Sequence, residues 1–261
     1  MIFTQLIKAN LETRVLGQEI AYFVRVASTN TEAMELLEEG VPEGTVVVTD
    51  NQTAGRGRHH QSWFSGPGKG LAFSVILKPE LTGRVAGVIS LMGAVAASEA
   101  IERFHLSPTV KWPNDILLSG RKCGGILVDT RFQGNTMGWA IMGIGVNVNE
   151  TAHDFPEEFR EGSISILMAK ESPAQRELAL AWILNSLEQW YDRLKSEEFG
   201  AIISAWKRRC NHLGEKVLFT RKGKTQAGIF TDVTERGEAV IRHDSGEVTL
   251  SSEEIYLIRP A

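Results

Sequence analysis

Four predicted strands follow one another between residues 109 and 148, and no other feature constrains the fold of this chain as strongly. A tight turn at Ser119-Gly120 separates two of these strands. Strands joined this closely pair as antiparallel neighbours, so we expect a mostly antiparallel sheet. The four segments are Thr109–Trp112, Ile116–Leu118, Cys123–Thr130 and Met137–Val148.

Helices and further strands flank this region, which predicts an α+β fold. The β-branched run Thr45–Thr49 predicts a buried strand, and other segments repeat apolar residues at helical spacing. We expect the first helix to begin with a capping box formed by Thr29 and Glu32. The predicted helices are Ser28–Glu39, Gly83–Phe104, Pro173–Glu197 and Phe199–Cys210, and the other strands are Ile20–Val26, Thr45–Thr49 and Leu71–Leu77.

The pattern changes near His212–Gly214 to short alternating strands separated by glycine turns, which is typical of a small barrel. A unit of about 50 residues is marginal alone, so we expect it to pack on the larger domain. The sequence therefore predicts two domains, 1–212 and 213–261. The predicted strands are Lys216–Thr220, Thr225–Val233, Glu238–His243 and Glu247–Ser251, with turns at Arg221-Lys222-Gly223, Glu235-Arg236-Gly237 and Asp244-Ser245-Gly246.

The composition excludes several classes of protein. The 28 Lys and Arg against 32 Asp and Glu give a net charge of −4, which disfavours nucleic-acid binding by charge alone. Two cysteines without a CxxC motif exclude a disulfide framework and a zinc ribbon. The sequence has neither an apolar run long enough for a membrane helix nor a signal-peptide pattern. We expect a cytoplasmic protein without a membrane partner.

The segment from Asn51 to Pro79 contains no acidic residue, and its run Gly55-Arg56-Gly57-Arg58-His59-His60 lies in a long predicted loop. Glycines let backbone amides approach an anion, and arginines add forked positive donors. The run matches neither a Walker loop nor a dinucleotide fingerprint. It indicates an anion site, with an RNA-contacting surface loop as the alternative. The two histidines lack further ligands at suitable spacing, so we expect no metal site there.

A predicted hairpin carries the next two motifs. It would bring Lys111 and Lys122 onto neighbouring strands, where fixed ammonium groups stabilise a developing phosphate charge. Lysines at strand ends are usually solvated and have no ligand. Taken alone, this motif favours solvated lysines over a phosphate site. Cys123 has no histidine partner in a recognisable pattern, so we expect no thiol nucleophile. The motifs are Lys111-Trp112-Pro113-Asn114-Asp115-Ile116 and Arg121-Lys122-Cys123-Gly124-Gly125-Ile126-Leu127.

Alternate glycines mark the last of the four strands, Met137–Val148, in the run Gly143-Ile144-Gly145-Val146-Asn147. They leave room for a flat ligand or another backbone, and an asparagine amide is suited to a purine edge. Tight packing explains the same glycines equally well. Ser28-Thr29-Asn30 begins a helix, where a cap and a ligand site can coincide.

Taken together and in this order, the motifs resemble those of the biotin–protein ligase family. The resemblance covers roughly residues 20–150, and the C-terminal barrel looks like the family's SH3-like cap. It implies a mixed sheet similar to the catalytic core of class II aminoacyl-tRNA synthetases. The matching segments are STN at Ser28–Asn30, QTAGRGRHHQSWFS at Gln52–Ser65, KWPNDI at Lys111–Ile116, RKCGGIL at Arg121–Leu127 and GIGVNVN at Gly143–Asn149.

The resemblance implies an ATP-dependent ligase that makes biotinyl-5′-AMP and transfers biotin to one lysine of a biotin carboxyl carrier protein. ATP, biotin and Mg²⁺ are the expected small ligands, and no protein metal site is expected. Lys122, Arg56 and Arg58 would be catalytic, since they would neutralise the repulsion between a carboxylate and the α-phosphate. Biotin would contact Ser28, Thr29, Asn30, Gln52, Gly55, Arg56, Gly57, Arg58, Lys122 and Gly124. The adenylate would contact Arg58, Trp63, Lys111, Asn114, Asp115, Lys122 and Asn147. The family loop often has a further glycine or arginine where this chain has His59-His60-Gln61.

Further expectations concern the loop and the partners. The adenylate must be kept from water, so we expect Gln52–Gly70 to be mobile until ligands bind. The segment before Ile20 is too short for a helix-turn-helix domain, which predicts a ligase that binds no DNA. Exposed sheet edges make a homodimer reasonable. The alternatives are a lipoate or octanoyl ligase, whose SGGG-type run and His-Asp pair we do not find, a non-enzymatic RNA-binding module, and a degenerate ligase that only binds biotin.

Overall fold

Twelve strands and seven α-helices make up the described part of the chain. The computed structural model describes residues 1–82, 85–221, 223–243 and 246–260, apart from the side chains of residues 60 and 256–260. The helices are α1 Thr4–Lys8, α2 Thr29–Glu38, α3 Ala86–Glu102, α4 Glu157–Arg160, α5 Ile166–Lys170, α6 Arg176–Lys195 and α7 Phe199–Lys207. The strands are β1 Ile20–Phe23, β2 Val46–Thr49, β3 Leu71–Leu77, β4 Thr109–Lys111, β5 Asp115–Leu118, β6 Arg121–Gln133, β7 Thr136–Val146, β8 Lys216–Arg221, β9 Lys224–Val233, β10 Ala239–His243, β11 Gly246–Leu250 and β12 Ile255–Pro260.

The larger sheet has seven strands in the order β1-β2-β3-β7-β6-β5-β4. Among these strands, β1 and β2 are the parallel pair, and helix α2 connects them in the chain. The other neighbouring strands of this sheet pair antiparallel. The structure therefore confirms the α+β prediction with a mixed sheet. The succession of β4 to β7 forms an antiparallel meander, as the short connections predicted.

Helices cover both faces of this sheet, and the alternation of side chains along its strands explains how. Val46 and Val48 of β2 point into the main core with α3, whereas Val47 faces the opposite side and packs with Ala33 of α2. All seven residues of β3 are buried, as expected for a central strand that is covered on both faces. Helices α6 and α7 pack against α3 and close the main core.

The smaller sheet has five antiparallel strands in the order β11-β10-β9-β8-β12. It contacts the first unit through buried groups: the Trp112 indole donates to the Gly237 carbonyl at 3.0 Å. The ring of His212 stacks on Phe230, with 5.2 Å between ring centroids. The predicted boundary at residue 212 falls between α7 and β8.

Several sequence predictions differ from the structure in detail. The fifth strand of the small sheet, β12, was missed, as were the short helices α1, α4 and α5. The predicted capping box is wrong: the residue at the N-cap of α2 is Ser28, and no side chain caps this helix. Thr29 instead donates both its N–H and its hydroxyl to Gln52 Oε1, at 2.8 and 3.1 Å. The start of the helix predicted from Gly83, and Lys222, Asp244 and Ser245 of the predicted turns, lie outside the described residues.

None of the helices in the described ranges is both long and apolar enough to cross a bilayer.

Candidate active site

One cavity of about 300 Å³ brings most of the predicted site residues together. It lies over β3, β7 and β6, beside the N-terminus of α2 and under the loop that follows β2. The register explains its floor, because Ala72 pairs with Gly145 and Gly145 pairs with Gly125, forming a row of small residues across three strands. The predicted residues that line it are Ser28, Thr29, Asn30, Gln52, Arg56, Gly57, Arg58, Trp63, Lys111, Asn114, Asp115 and Lys122.

Buried polar side chains form one end of the cavity. Ser28, Thr29 and Asn30 are each at most 4% exposed, although all three are polar. The Ser74 hydroxyl of β3 lies 2.7 Å from Thr29 Oγ1 and 2.6 Å from Asn30 Oδ1. Gly143 leaves the space for Asn30, since a Cβ there would overlap the Asn30 amide. Buried polar groups need partners, so this network fixes which atoms face a ligand.

Asp129 connects this polar end to the glycine–arginine loop. Its Oδ2 accepts from Asn30 Nδ2 at 3.0 Å and from Arg56 Nη2 at 2.8 Å. Sequence reasoning missed Asp129 because it lies in the middle of β6, outside every recognised motif. Asp129 follows the apolar run 126–128, but no local pattern in the sequence relates it to Asn30 or Arg56.

The glycine–arginine loop folds back on itself and reaches the small sheet. Trp63 donates its backbone N–H to the Gly55 carbonyl at 2.9 Å. Arg58 donates to the backbone carbonyls of Ser252 and Ile255, the latter at 3.3 Å. Burial lowers the pKa of the Arg58 guanidinium, and the charge of Asp115 opposes that shift. The small sheet therefore takes part in holding a cationic side chain of the cavity.

An ion triplet forms the other end of the cavity. Asp115 accepts from Lys122 Nζ at 2.6 Å through Oδ1 and lies 3.3 Å from Lys111 Nζ through Oδ2. Burial raises the pKa of Asp115, but the two ammonium groups outweigh it and hold the pKa below its usual range. Of the described residues that line the cavity, Asp115 alone is acidic, against Arg56, Arg58, Lys111 and Lys122. The cavity is therefore cationic.

Trp63 lies against the small-residue floor. A Cβ at Gly145 would overlap its indole ring, so the alternate glycines of β7 make room for Trp63 and Asn30. Lys122 Nζ is 5.7 Å from the Trp63 ring centroid, within the range of a cation–π contact. The Trp63 indole N–H is buried and has no hydrogen-bond partner among the described residues. A flat aromatic surface with a free donor suits a ring-shaped ligand.

Three predicted contact residues do not line this cavity. Gly124 approaches the opposing strand, where a Cβ would come within 2.9 Å of the Gly145 carbonyl, and Gly125 faces the cavity instead. Gly55 shapes the loop, since a Cβ there would meet the Trp63 carbonyl at 2.5 Å. Asn147 donates to the carbonyls of Lys122 and Ile164, at 3.3 and 3.1 Å. These contacts within the protein give all three residues a structural role. Their contacts with a ligand stay predictions.

Comparison with known proteins agrees with this geometry. The profile of the biotin/lipoate A/B protein ligase family matches residues 22–147. The chain is 33% identical over 249 residues to the bifunctional ligase/repressor BirA of Bacillus spizizenii, covering 95% of this chain and 74% of that protein. The chain belongs to the biotin–protein ligase family. It is therefore an enzyme, and a non-enzymatic RNA-binding module is ruled out as its main role.

Two further relatives span nearly the whole ligase. The biotin–[acetyl-CoA-carboxylase] ligase of Paracoccus denitrificans is 28% identical, with 89% of this chain and 98% of that protein covered. The biotin protein ligase of Aquifex aeolicus, solved in complex with biotin and ATP, superposes with a TM-score of 0.76. That structure is 28% identical and covers 94% of this chain and 100% of its own. The similarity thus extends over both sheets of the ligase.

A buried carboxyl group lies beneath the end of the loop. Glu150 is completely buried, its Oε1 accepts from the Gly66 N–H at 3.2 Å, and its Oε2 has no partner among the described residues. Burial raises the pKa of Glu150 to about 7, only partly opposed by backbone hydrogen bonds. The folded enzyme therefore binds this proton more tightly than the unfolded chain does.

Glu150→Gln tests the consequence for stability. Because the folded pKa is raised, the ionisation of Glu150 costs the wild type stability as the pH rises from about 4.5 to about 7. We expect the glutamine variant, relative to wild type, to gain up to about 3 kcal/mol in free energy of unfolding between pH 5 and pH 8. Urea unfolding at both pH values measures this. Glu161→Gln, at an exposed position, is the control. A wild-type-to-variant difference that is the same at both pH values would contradict the assignment.

Proposed function

We propose that this ligase activates biotin with ATP as biotinyl-5′-AMP and transfers the biotinyl group to a lysine of a biotin carboxyl carrier domain. One observation carries the proposal: a buried polar recognition end and a cationic end meet in a single cavity. The Aquifex aeolicus ligase, solved in complex with biotin and ATP, supports the same ligands.

The polar end suits the ring system of biotin. Asn30, Ser74 and Thr29 offer amide and hydroxyl groups in a fixed network, so a ureido ring finds both donors and acceptors. Gln52 joins them through its contact with Thr29. A site that is built to hydrogen-bond a polar ring discriminates against ligands without one, because its buried groups would lose their partners.

The cationic end suits the adenylation step. A biotin carboxylate oxygen attacks the α-phosphorus of ATP, and the bond to the β-phosphate oxygen breaks in line with it. Lys122 and Arg56 would neutralise the two anions that must meet, and Trp63 would provide a face for adenine. No covalent enzyme intermediate is needed. Burial raises the pKa of the Cys123 thiol well above its usual range, so this thiol stays protonated.

The donor set of the cavity indicates how Mg²⁺ would take part. Within the described ranges, no group of three or more His, Cys, Asp and Glu side chains could hold a metal ion. The carboxylate of Asp115 is already engaged by two lysines. Mg²⁺ would therefore enter on the phosphates of ATP, as is common for nucleotide enzymes, and supply charge neutralisation there.

Transfer requires an uncharged acceptor amine. Asp115 is the single carboxylate among the described lining residues, and it lies beside Lys122 at the phosphate end. Two lysines hold the pKa of Asp115 below its usual range, so this carboxylate is a poor base and the acceptor ammonium loses its proton to solvent. The free amine then forms an amide bond with the biotinyl carbonyl and gives up its second proton to solvent, while AMP leaves with the electron pair of the broken anhydride bond.

Biotin and lipoate separate the proposal from its enzymatic rival. We expect biotin-dependent release of pyrophosphate from Mg·ATP, and at least about 100-fold less with lipoate, since lipoate lacks the polar ring. Lipoate-dependent release at or above the biotin rate would overturn the assignment. Biotin binding without any pyrophosphate release would instead indicate a degenerate ligase.

Loop mobility gives a further prediction. We expect residues 52–70 to be cleaved rapidly by a protease in the ligand-free ligase and protected when biotin and Mg·ATP are both present. Arg56 and Arg58 on this loop carry charges that an adenylate would pair with. Limited trypsin digestion followed by mass spectrometry measures the rate at these sites. Equal cleavage rates with and without ligands would count against a closing loop.

A further inference from the structure

A buried ion pair lies at the base of the glycine–arginine loop, which connects β2 to β3. Asp50 follows β2 directly, and Arg176 is the first residue of α6. Their side chains are 12% and 7% exposed, and Arg176 Nη1 is 2.9 Å from Asp50 Oδ1. In the described part of the chain, neither residue is among those that line the ligand cavity. The pair is therefore placed to act on the loop rather than on a ligand.

The same guanidinium holds the other end of the loop. Arg176 Nη1 donates to the carbonyl of Gly70, the residue before β3, at 3.3 Å. The two ends also contact each other, because the Gly68 N–H donates to the Asp50 carbonyl at 2.9 Å. We call Asp50 and residues 68–70 the loop neck. One arginine from outside the loop thus contacts both sides of this neck.

The position of Arg176 is itself fixed by the fold. Asn149, which follows β7, donates to the Ala174 carbonyl at 2.8 Å and accepts from the Ala174 N–H at 2.9 Å. These bonds hold the chain just before α6, and α6 packs against α3 in the main core. The Asn149 N–H also donates to the Lys69 carbonyl at 3.2 Å. The neck is therefore attached to a rigid part of the molecule.

Stability alone does not account for a charged pair at this place. Burial raises the pKa of Asp50, but Tyr22 and Arg176 outweigh it and hold the pKa below its usual range. Asp50 Oδ2 accepts from the Tyr22 hydroxyl and lies 3.5 Å from the Met1 ammonium group. Buried ion pairs are often no more stabilising than apolar residues of similar size, because both charges lose their hydration. A role in fixing one conformation of the neck explains the charges better.

We propose that Arg176 is a positioning residue for the glycine–arginine loop, which it pins at Asp50 and Gly70 so that the loop closes from a fixed neck. The inference rests on the proposed function. Gln52 lies two residues after Asp50 and accepts from Thr29 at the polar end of the cavity, so a shift of the neck reaches the biotin contacts. Without the clamp, a smaller fraction of the free enzyme has the loop base in the binding-competent position, which weakens apparent binding.

Arg176→Met tests the clamp against Arg209→Met. Methionine keeps an unbranched side chain and removes every donor. Arg209 is 15% exposed and pairs with Glu99 and Glu102 of α3, at 3.4 and 2.9 Å, so its loss removes similar ion pairs that do not hold the neck. Biotin-dependent exchange of pyrophosphate into ATP is measured at saturating Mg·ATP.

The split between KM and kcat distinguishes positioning from stability. We expect Arg176→Met to raise the KM for biotin about 10-fold, with kcat within about threefold of wild type. Arg209→Met should leave this KM unchanged, because a variant that only loses folded enzyme lowers kcat. An unchanged KM in Arg176→Met would overturn the proposal. Equal effects of the two variants would also overturn it and would make the pair a general stabiliser.

Hydrogen exchange of the ligand-free enzyme measures the neck directly. We expect the amides of residues 66–70 to exchange about 10-fold faster in Arg176→Met than in wild type, because their local opening is no longer opposed. Arg209→Met should exchange at the wild-type rate there. Equal rates in Arg176→Met and wild type would contradict a clamp at the neck.

Two further variants keep the proposal falsifiable where Arg176→Met does not fold. Arg176→Lys keeps the charge but loses the planar group, so we expect a KM for biotin raised by about threefold. Asp50→Asn with Arg176→Met leaves no unpaired buried charge, so this double variant should be more stable than the single one and still have the raised KM. A wild-type KM in the double variant would overturn the proposal.

A wild-type enzyme without biotin-dependent pyrophosphate exchange would refute the proposed function instead. The hydrogen-exchange comparison does not depend on catalysis, so the two failures are distinct.

Discussion

Replacing Lys122 with alanine is expected to lower adenylate formation by about 10²–10³-fold, the usual effect of removing one preorganised donor to developing charge. The side chain is 40% exposed and makes its ion pair with Asp115 at 2.6 Å, so its loss disturbs the active site more than the core. Without Lys122, the negative charge of Asp115 would be neutralised by Lys111 alone and would repel the phosphates more strongly. Biotin-dependent exchange of pyrophosphate into ATP measures the step directly.

Two further variants serve as controls for Lys122→Ala. Lys122→Arg keeps the charge but changes its reach, so we expect activity between those of the alanine variant and the wild type. Lys170→Ala removes an exposed lysine at the end of α5 and should leave the exchange rate unchanged. An unchanged exchange rate in Lys122→Ala, with the enzyme folded, would remove Lys122 from the mechanism.

The second large effect is expected from Gly145→Ala. The added Cβ would overlap the Trp63 indole, which lies against this strand in the floor of the cavity. Trp63 must then move, and this displaces the hydrogen bond from its backbone N–H to the Gly55 carbonyl in the loop. We expect pyrophosphate exchange to fall by about 10–100-fold, which corresponds to ~1.4–2.7 kcal/mol in the transition state.

Gly138→Ala is the matched control for this change. It lies on the same strand, β7, but a Cβ there meets no atom closer than 3.7 Å. We expect Gly138→Ala to keep exchange activity, whereas Gly145→Ala raises the concentration of ATP needed for half-maximal rate. Equal activities of the two variants would mean that the position of Trp63 does not matter for nucleotide binding.

Local patterns in the sequence predicted most of the fold. The β-branched run that became β2 and the long apolar helix α3 carry signals within a single window of residues. β12 was missed because its pairing with β8 joins segments more than thirty residues apart in the chain. The predicted cap was wrong because Thr29 is the first residue of α2 and donates to Gln52 Oε1, which reaches it from the loop after β2.

In the candidate site too, the local motifs were predicted and the contacts between distant segments were not. The motif residues converge on one cavity because each motif lies at an end of a strand or helix that meets there. Local patterns could not predict the role of Asp129, because its partners Asn30 and Arg56 are 99 and 73 positions away. The alternate glycines were ambiguous for a related reason. Their function is to make room for Asn30 and Trp63, side chains that only the fold brings to β7.

Biotinylation of a carrier domain is the most direct test of the proposed function. The ligase is incubated with biotin, Mg·ATP and a biotin carboxyl carrier domain, and the acceptor lysine is read by intact-mass and peptide mass spectrometry. We predict a mass increase of one biotinyl group on one lysine, dependent on both biotin and ATP, and lost in Lys122→Ala. An unmodified carrier, under conditions in which another biotin ligase labels the same domain, would contradict the proposal.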